Sequence, residues 1–548
     1  MKSKIVLLLG FIILFAGFLR FYNIAGNPPS LTWDEAAWGY NAYSIGIDGR
    51  DEFGRFLPLT YLESFGDFKP PVYAHLSVIP VKLFGLNEFS TRFASALFGV
   101  LTVLVTYYLV RELFPNNKSP TLGLISAGVL AISPWHILLS RAAFEANVAT
   151  FFIVLGVYLF FSSLRKRWFL ILSVFSFVIS MYTFNTARIV SPLLLLGLIF
   201  VNRDYLIKKI PIQTLISAVF GAIIFLPLFV FLLTPQAKLR YNEVNIFTDS
   251  NVVENSNLQI KNDNGAFWSK IIHNRRIGYG IEYLKHYFDN LSPNFLFIKG
   301  DGNPKFSIQD TGQLYIFEIP LLIAGILFLF RKREGHWWFI PFWVIVGIIP
   351  AATARETPHA LRIETILPTF QILAAYGVYE LFKRVSSIQY RVFSFKLFPL
   401  ITILYLLFTA FNISYFLHTY FVHYPKQYSN QWQYGYREVL AYTKAVEQNY
   451  DNIVFTEHLG RPYIYALFYK RYDPEMFRSE AIIEREVLGF VHVRSFGKYK
   501  FVESISDNLD RSENNLYIDK PDDIPQDATV FMTFRELDGT PTLVAYSL

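Results

Sequence analysis

Cysteine is absent from the 548 residues. No disulfide can staple an outer loop, and a site built on thiolate ligands is excluded. Charge is scarce as well: Asp, Glu, Lys and Arg make up 17%, below the roughly 25% of an average soluble protein. No internal repeat is present, and the C-terminal part shows neither a glycine-rich phosphate loop nor a cluster of potential metal ligands. The net charge of +7 first suggests nucleic acid. Its distribution argues against that partner, because the positive clusters sit in short segments between apolar stretches.

What fills the chain is apolar: 53% hydrophobic and 18% aromatic residues, with a mean hydropathy of +0.32. A spanning helix needs about 20 residues. Eleven runs meet or approach that length, at 5–20, 92–110, 120–138, 147–163, 168–184, 187–201, 210–233, 314–330, 337–353, 363–382 and 397–416. The first follows Lys2 and Lys4, and no small-x-small cleavage site follows Leu19. It reads as an uncleaved helix, not a signal peptide. With this count, Arg111 and Lys118, Arg165–Arg167, Arg203 with Lys208 and Lys209, Arg331–Arg333, and Lys383, Arg384, Arg391 and Lys396 share one face with the N-terminus. The positive-inside rule assigns that face to the cytoplasm.

The expected architecture is a polytopic all-α membrane domain over 1–416 with about eleven transmembrane helices. Its extracytoplasmic loops are 21–89 and 234–313, and a small extracytoplasmic α/β domain follows over 417–548. Val72–Leu86 is an interfacial helix or a further span. In the tail, Tyr436–Glu447 and Pro462–Tyr472 read as helices. Asn452–Thr456, Phe490–Val493, Ala528–Thr533 and Thr542–Ser547 read as strands. This domain is a lid or cap, or an acceptor-binding module.

Four patches carry candidate chemistry, all on the outer face. Asp34 and Glu35 follow the first helix, where paired carboxylates serve as a base or cation ligand, or are ordinary loop acids. Asp67-Phe68-Lys69-Pro70-Pro71 sets a lysine before proline, which restricts it to an extended backbone. Lys69 is then a point charge for phosphate, or a side chain snorkelling to headgroups. Arg141 and Glu145 stand four apart, the spacing of one helix face, as an ion pair or as a phosphate ligand with its partner. Asn185 and Arg188 repeat polar residues at the outer rim. Finally, Arg355 to Arg362 includes His359 and Arg362, basic residues on the face where they are least expected. Together the patches suit transfer of a group from a lipid phosphate. Cations stabilise the leaving phosphate and an acid deprotonates the acceptor.

The segments LTWDEAAWGYNAYSI, FKPPVYAHLSVIPVKLFGLNEFSTRFASALFGVLTVLVTYYLVREL and SPWHILLSRAAFEANV resemble the polyprenyl-phosphate-dependent glycosyltransferases of GT-C type. More narrowly, they resemble the protein O-mannosyltransferase and aminoarabinose-transferase superfamily. The resemblance covers roughly 1–190, continues loosely to 416 and leaves the tail uncovered. It implies an inverting membrane transferase that moves a sugar from a polyprenyl monophosphate to an extracytoplasmic protein, lipid or glycan. By that likeness Asp34 is the base with Glu35 beside it, and Lys69 binds the donor phosphate. Asp67 matches the family's acid, although Phe68 breaks the usual acid-lysine adjacency. Arg141 and Glu145 match the second outer loop, and His359 and Arg362 the late loop that holds the carrier phosphate. No cofactor is required. A divalent cation is possible, with Asp34, Glu35, Asp67 and His359 as available ligands. Membrane lipids are the other expected partner, and a prokaryotic plasma membrane the expected location. Two rival classes stay open: a transporter of a lipid-linked or polar substrate, and a non-enzymatic scaffold that binds a surface polymer.

Overall fold

The structure is a computed structural model that describes residues 2–115, 120–388, 397–486, 489 and 491–548. Lys118, Arg391 and Lys396 of the basic segments, and Phe490 of one expected strand, lie outside them. The chain opens with α1 (Lys2–Phe21), α2 (Trp33–Asp48), a hairpin of β1 (Leu62–Ser64) and β2 (Asp67–Lys69), α3 (Val72–Phe84) and α4 (Glu88–Leu113). Next come α5 (Pro120–Ile132), α6 (Pro134–Arg141), α7 (Glu145–Ser163), α8 (Phe169–Met181), α9 (Ala187–Lys208) and α10 (Pro211–Leu232). Four helices fill the second long loop: α11 (Pro235–Val244), α12 (Ser250–Asn262), α13 (Phe267–Ile272) and α14 (Arg275–Asp289). Four apolar helices follow, α15 (Glu318–Lys332), α16 (Phe339–Ile348), α17 (Thr369–Ile388) and α18 (Leu397–His418).

The tail continues through α19 (Tyr424–Gln427), α20 (Tyr436–Val446), β3 (Asn452–Thr456), α21 (Pro462–Lys470) and α22 (Pro474–Glu480). It ends with β4 (Ile482–Arg485), β5 (Val491–Phe496), β6 (Tyr499–Val502), β7 (Asn515–Asp519), β8 (Thr529–Arg535) and β9 (Pro541–Ser547).

Every expected span falls on helical residues, and the chain is an integral membrane protein, mostly helical, with a C-terminal sheet domain. Eleven is nevertheless more than length and composition support. Among the described residues six helices are long and apolar enough to cross a membrane, or seven if α5 and α6, bent by 57°, form one span. The bend falls at Pro134, which has no N–H to continue the ladder. The shortfall lies in helices such as α8, whose 13 residues reach roughly 20 Å against a hydrocarbon core of roughly 30 Å. The helix α3, also 13 residues long, is too short to be the alternative extra span.

By packing, the chain forms two compact units. One comprises 1–19, 98–139 and 146–416, the other 20–97, 140–145 and 417–548. In the first, α15 and α17 meet through glycines. A Cβ on Gly325 would lie 2.0 Å from the Leu373 carbonyl oxygen, and one on Gly377 2.0 Å from that of Leu321. Small residues at these points let two apolar helices approach where lipid offers no hydrophobic drive.

The second unit replaces the division at 416/417 that hydropathy suggested. Leu31, Ala36, Ala37, Tyr40 and Phe65 from the first loop share one buried core with Leu440, Ile453, Phe455, Leu467 and Ile518 of the tail. The tail alone cannot bury its apolar faces, and α2 supplies the missing layer. Its sheet has the order β4-β5-β6-β3-β7-β9-β8. The central β3 runs parallel to both β6 and β7, and the remaining pairs are antiparallel. The strand β7, NLYID, is buried at every residue, as a central strand covered on both faces should be.

Candidate active site

The site in the second unit starts from a helix cap. Thr32 caps α2, its hydroxyl accepting from the Glu35 N–H at 3.3 Å, while the Glu35 carboxylate accepts from the Thr32 N–H at 3.0 Å. This Thr-x-x-Glu box fixes where the helix begins. Successive helical residues diverge by about 100°, so Asp34 and Glu35, adjacent in sequence, face different surroundings. Glu35 is 1% exposed. It accepts from Arg92 Nε at 2.8 Å, Arg92 Nη2 at 3.1 Å and the Ala143 N–H at 2.8 Å. It is a cross-brace, and its lone pairs are committed to four donors. Asp34 instead keeps a half-exposed side chain, ion-paired to Lys69 Nζ.

Lys69 is placed by the β1–β2 hairpin. Phe65 (φ 59°) and Gly66 (φ 83°) form its two-residue loop, both in the left-handed region that a type I′ turn requires. The register pairs Leu62 with Lys69. Side chains alternate along a strand, so Asp67 and Lys69 share a face and Phe68 takes the other. Phe68 there packs edge-on against Tyr61, ring centroids 5.1 Å apart. The interrupted acid-lysine adjacency is thereby restored in space. The Lys69 ammonium lies 5.0 Å from the Phe65 ring centroid and 5.5 Å from that of Trp38. Burial alone would lower its pKa, but Asp34 and Asp67 outweigh it and hold Lys69 protonated above its ordinary value. Glu145 adds to the same negative field, so three carboxylates surround one ammonium. Behind Lys69 lies Glu52, fully buried. Its carboxyl is pushed up to about 8 by burial and Asp51, with Asn41, Ser64 and Lys69 opposing.

Arg141 and Glu145 do not share a helix face. The helix α6 ends at Arg141 and α7 begins at Glu145, with a turn between them. Arg141 is fully buried and donates to Tyr420 Oη at 3.1 Å, the Arg20 carbonyl at 3.3 Å and the Asn27 carbonyl at 2.7 Å. Arg92, absent from the sequence-derived set, does similar work. Its guanidinium donates to the carbonyls of Ile24 at 2.9 Å, Pro28 at 2.8 Å and Ser30, besides Glu35. The signal for it was present: an arginine at the start of an apolar span is costly and needs a partner.

In the first unit, His359 donates its backbone N–H to Asn290 Oδ1 at 3.0 Å, and its ring lies tilted against Phe306, centroids 4.9 Å apart. Burial and the neighbouring Arg362 push its pKa down to about 3, so it is neutral and adds no charge for a phosphate. Arg362 donates Nη1 to the Glu356 carbonyl at 3.0 Å. Asp301 accepts from the Ala360 N–H at 2.6 Å, and burial raises its carboxyl to about 6. Asn185 is exposed. Arg188 donates Nε to the Met181 carbonyl at 3.3 Å, its guanidinium 5.8 Å from the Phe231 ring.

A divalent cation needs several oxygen or nitrogen ligands in reach of one point. Among the described residues one such group occurs, Glu457, His492 and Glu503 in the tail, with ligand atoms within 4.8 Å of one another. This corrects the expectation of no cluster there. Those residues lie on or just after the adjacent strands β3, β5 and β6, far apart in sequence. Arg494 already pairs with Glu457 at 3.6 Å and Glu503 at 3.8 Å, so an ion-pair network accounts for the group.

Residues 10–240 match the family model of dolichyl-phosphate-mannose-protein mannosyltransferase. An uncharacterized protein of Aquifex aeolicus (strain VF5) is 30% identical over 169 residues, 30% of this chain and 31% of that protein. A putative mannosyltransferase YkcB of Bacillus subtilis (strain 168) is 29% identical over 154 residues, 27% of this chain and 20% of that one. The chain thus matches less than a third of the length of these curated relatives. The crystal structure of ArnT from Cupriavidus metallidurans bound to undecaprenyl phosphate is similar in fold, with a TM-score of 0.54 at 13% identity. That likeness covers 100% of this chain and 98% of ArnT.

Proposed function

We propose that the chain is an inverting membrane glycosyltransferase that moves a hexose or pentose from a polyprenyl monophosphate to a hydroxyl of an extracytoplasmic protein, lipid or glycan. The N-terminus lies in the cytoplasm in this reading, and the α2–hairpin site and sheet domain lie outside. The mannosyltransferase family match over 10–240 and the undecaprenyl phosphate in the ArnT structure support the donor class. The observation that carries the reaction is the ion pair of a half-exposed Asp34 with a nearly buried, protonated Lys69.

In the resting pair each group restrains the other. A donor phosphate brings an anion that competes for the Lys69 ammonium. Drawn to the phosphate, Lys69 releases Asp34, which becomes free to act as a base. As the acceptor oxygen forms its bond to the anomeric carbon, Asp34 takes the hydroxyl proton. The bond from that carbon to the phosphate oxygen breaks, and the lipid phosphate leaves with the electron pair. Lys69 stabilises the charge developing on it. Glu35 and Arg92 hold the first turn of α2 at the angle that exposes Asp34, and Glu145 and Asp67 keep Lys69 charged.

The test supplies radiolabelled polyprenyl-phosphate sugars to the purified full chain, wild type, Asp34→Asn and Lys69→Ala, with hydroxyl acceptors. Transfer by the wild type and none by Asp34→Asn is expected. Wild-type turnover by Asp34→Asn removes the base assignment, and inertness of the wild type toward every polyprenyl-phosphate sugar removes the enzyme class.

A further inference from the structure

Within the loop between α10 and α15, α14 is built inside out for a helix in water. Tyr279, Tyr283, His286 and Tyr287 stand at i, i+4, i+7 and i+8, one face of the helix. That face is tied to its own unit by polar groups. Tyr279 donates to the Asp249 carbonyl at 3.1 Å, Tyr283 to that of Ile349 at 3.4 Å and Tyr287 to that of Ile345 at 3.0 Å, while His286 Nδ1 lies 2.8 Å from the Ala354 carbonyl oxygen. The opposite face carries Ile277, Ile281, Leu284 and Phe288, again at helical spacing (i, i+4, i+7, i+11), and these are between 43% and 63% exposed.

The preceding α13 continues the surface. Phe267, Trp268, Ile271 and Ile272 are each more than half exposed, Phe267 reaching 80%. Large apolar side chains exposed in this number along two successive helices mark an interaction site. Its charge says what kind. Lys270, Arg275 and Arg276 are exposed about the junction of α13 and α14 and Lys285 flanks the apolar face of α14, while the acids of the segment are Glu282 and Asp289. Glu282 is paired locally with Lys285 at 3.2 Å and lies 2.9 Å from His286 Nε2. Apolar residues with aromatics on one side and basic residues beside them describe an element that lies in a membrane interface and favours anionic headgroups.

We propose that α13–α14 is an interfacial docking element that seats Phe267, Trp268, Ile277, Ile281 and Phe288 in the headgroup–acyl boundary of the bilayer and selects anionic phospholipid through Lys270, Arg275 and Arg276. Because α14 is anchored by its other face to residues 345–354, this contact bears on the loop that follows, where His359 and Arg362 stand. The inference does not depend on the proposed transferase activity.

The chain has no native cysteine, which makes the test direct. Single cysteines at Ile281, at Phe288 and, as a control, at the exposed Gln259 of α12 are labelled with a polarity-sensitive fluorophore in the full chain. The protein is placed in nanodiscs whose anionic or zwitterionic lipids carry bromine on the acyl chains. Labels at 281 and 288 are expected to be blue-shifted and quenched by brominated lipid, more strongly by the anionic one, and the label at 259 to stay water-like. Replacing Lys270, Arg275 and Arg276 by Gln should lower the anionic preference by roughly fivefold per residue. Three results overturn the proposal: water-like emission at 281 and 288, quenching indifferent to lipid charge, or shielding from lipid with energy transfer between differently labelled copies, which assigns the patch to a second copy of the chain.

Discussion

The first turn of α2 and the loop at 355–362 both collect ionisable residues beside apolar helices, and they hold them in opposite states. At α2 the cation keeps its charge, because three carboxylates face Lys69 and outweigh its burial. At the late loop burial and Arg362 discharge His359, and Asp301 is likewise pushed toward its neutral form. Burial acts on both regions, and counter-charge separates them. A region that keeps an ammonium beside a half-exposed carboxylate can compete for a phosphate and move a proton. A region that neutralises its imidazole and leaves Arg355 and Arg362 as its cations can position but does not supply the base. The same contrast appears within two residues of α2, where Glu35 is locked and Asp34 is accessible.

The sharpest way to break this contrast is to remove each carboxylate of α2 in turn. Asp34→Asn should leave the fold intact and slow transfer by about 10²- to 10⁴-fold, the usual contribution of a positioned base, measured in a single-turnover assay. Glu35→Ala should do the reverse of a catalytic change. It strands Arg92 in a buried site, and breaking such a pair costs about 3–5 kcal/mol, read as a large drop in thermal midpoint. Equal folding of Glu35→Ala and wild type would show that the cross-brace is not structural.

Lys69→Ala should weaken binding of a polyprenyl monophosphate by roughly 10- to 100-fold, as expected for a charge-assisted hydrogen bond, and Lys69→Arg should recover part of it. The companion change His359→Gln should alter binding far less, because a neutral imidazole carries no charge to lose.

The smallest effects are in pH dependence. Glu52 is raised to about 8 from its ordinary 4.5, so its contribution to stability is present below pH 4.5 and lost as pH rises to about 8. Glu52→Gln, which mimics the protonated form, should therefore gain on wild type across that window. His359 has the opposite sign. Lowered to about 3 from 6.5, its contribution is present above pH 6.5 and lost on acidification, so His359→Gln should gain on wild type at low pH. Thermal melts against pH check both, and a shared sign would contradict the burial of this acid and this base in their neutral forms.

How much of this was legible in the sequence follows the range of the interactions. Each apolar run became a helix, because hydropathy is a local property, and Asn452–Thr456 was read at its observed bounds. The span count was less secure, since α8 and α16 are shorter than a membrane is thick. The strands β6 and β7 escaped notice because their partner β3 lies far off in sequence, as do the residues that bury them. Asp34 and Lys69 stood out by residue type and by likeness, and the structure brings them together as an ion pair. That Asp67 shares the face of Lys69 depends on strand alternation within a hairpin of three-residue strands, too short to carry a periodicity signal. Glu35, expected beside the base, is committed to the Thr32-x-x-Glu35 cap and to Arg92, and that cap is readable in the sequence. The fusion of the first loop with the tail into one core had no local signature at all.

The most direct measurement is polyprenyl-phosphate-sugar binding, followed by thermal stabilisation, together with transfer, in the same Asp34→Asn preparation. Ligand binding to the folded state raises its stability whether or not chemistry follows. If the donor phosphate takes Lys69 from Asp34, the variant should bind donor at least as tightly as wild type and transfer almost none of it. Wild-type transfer by Asp34→Asn, or donor binding lost along with transfer, would contradict that exchange.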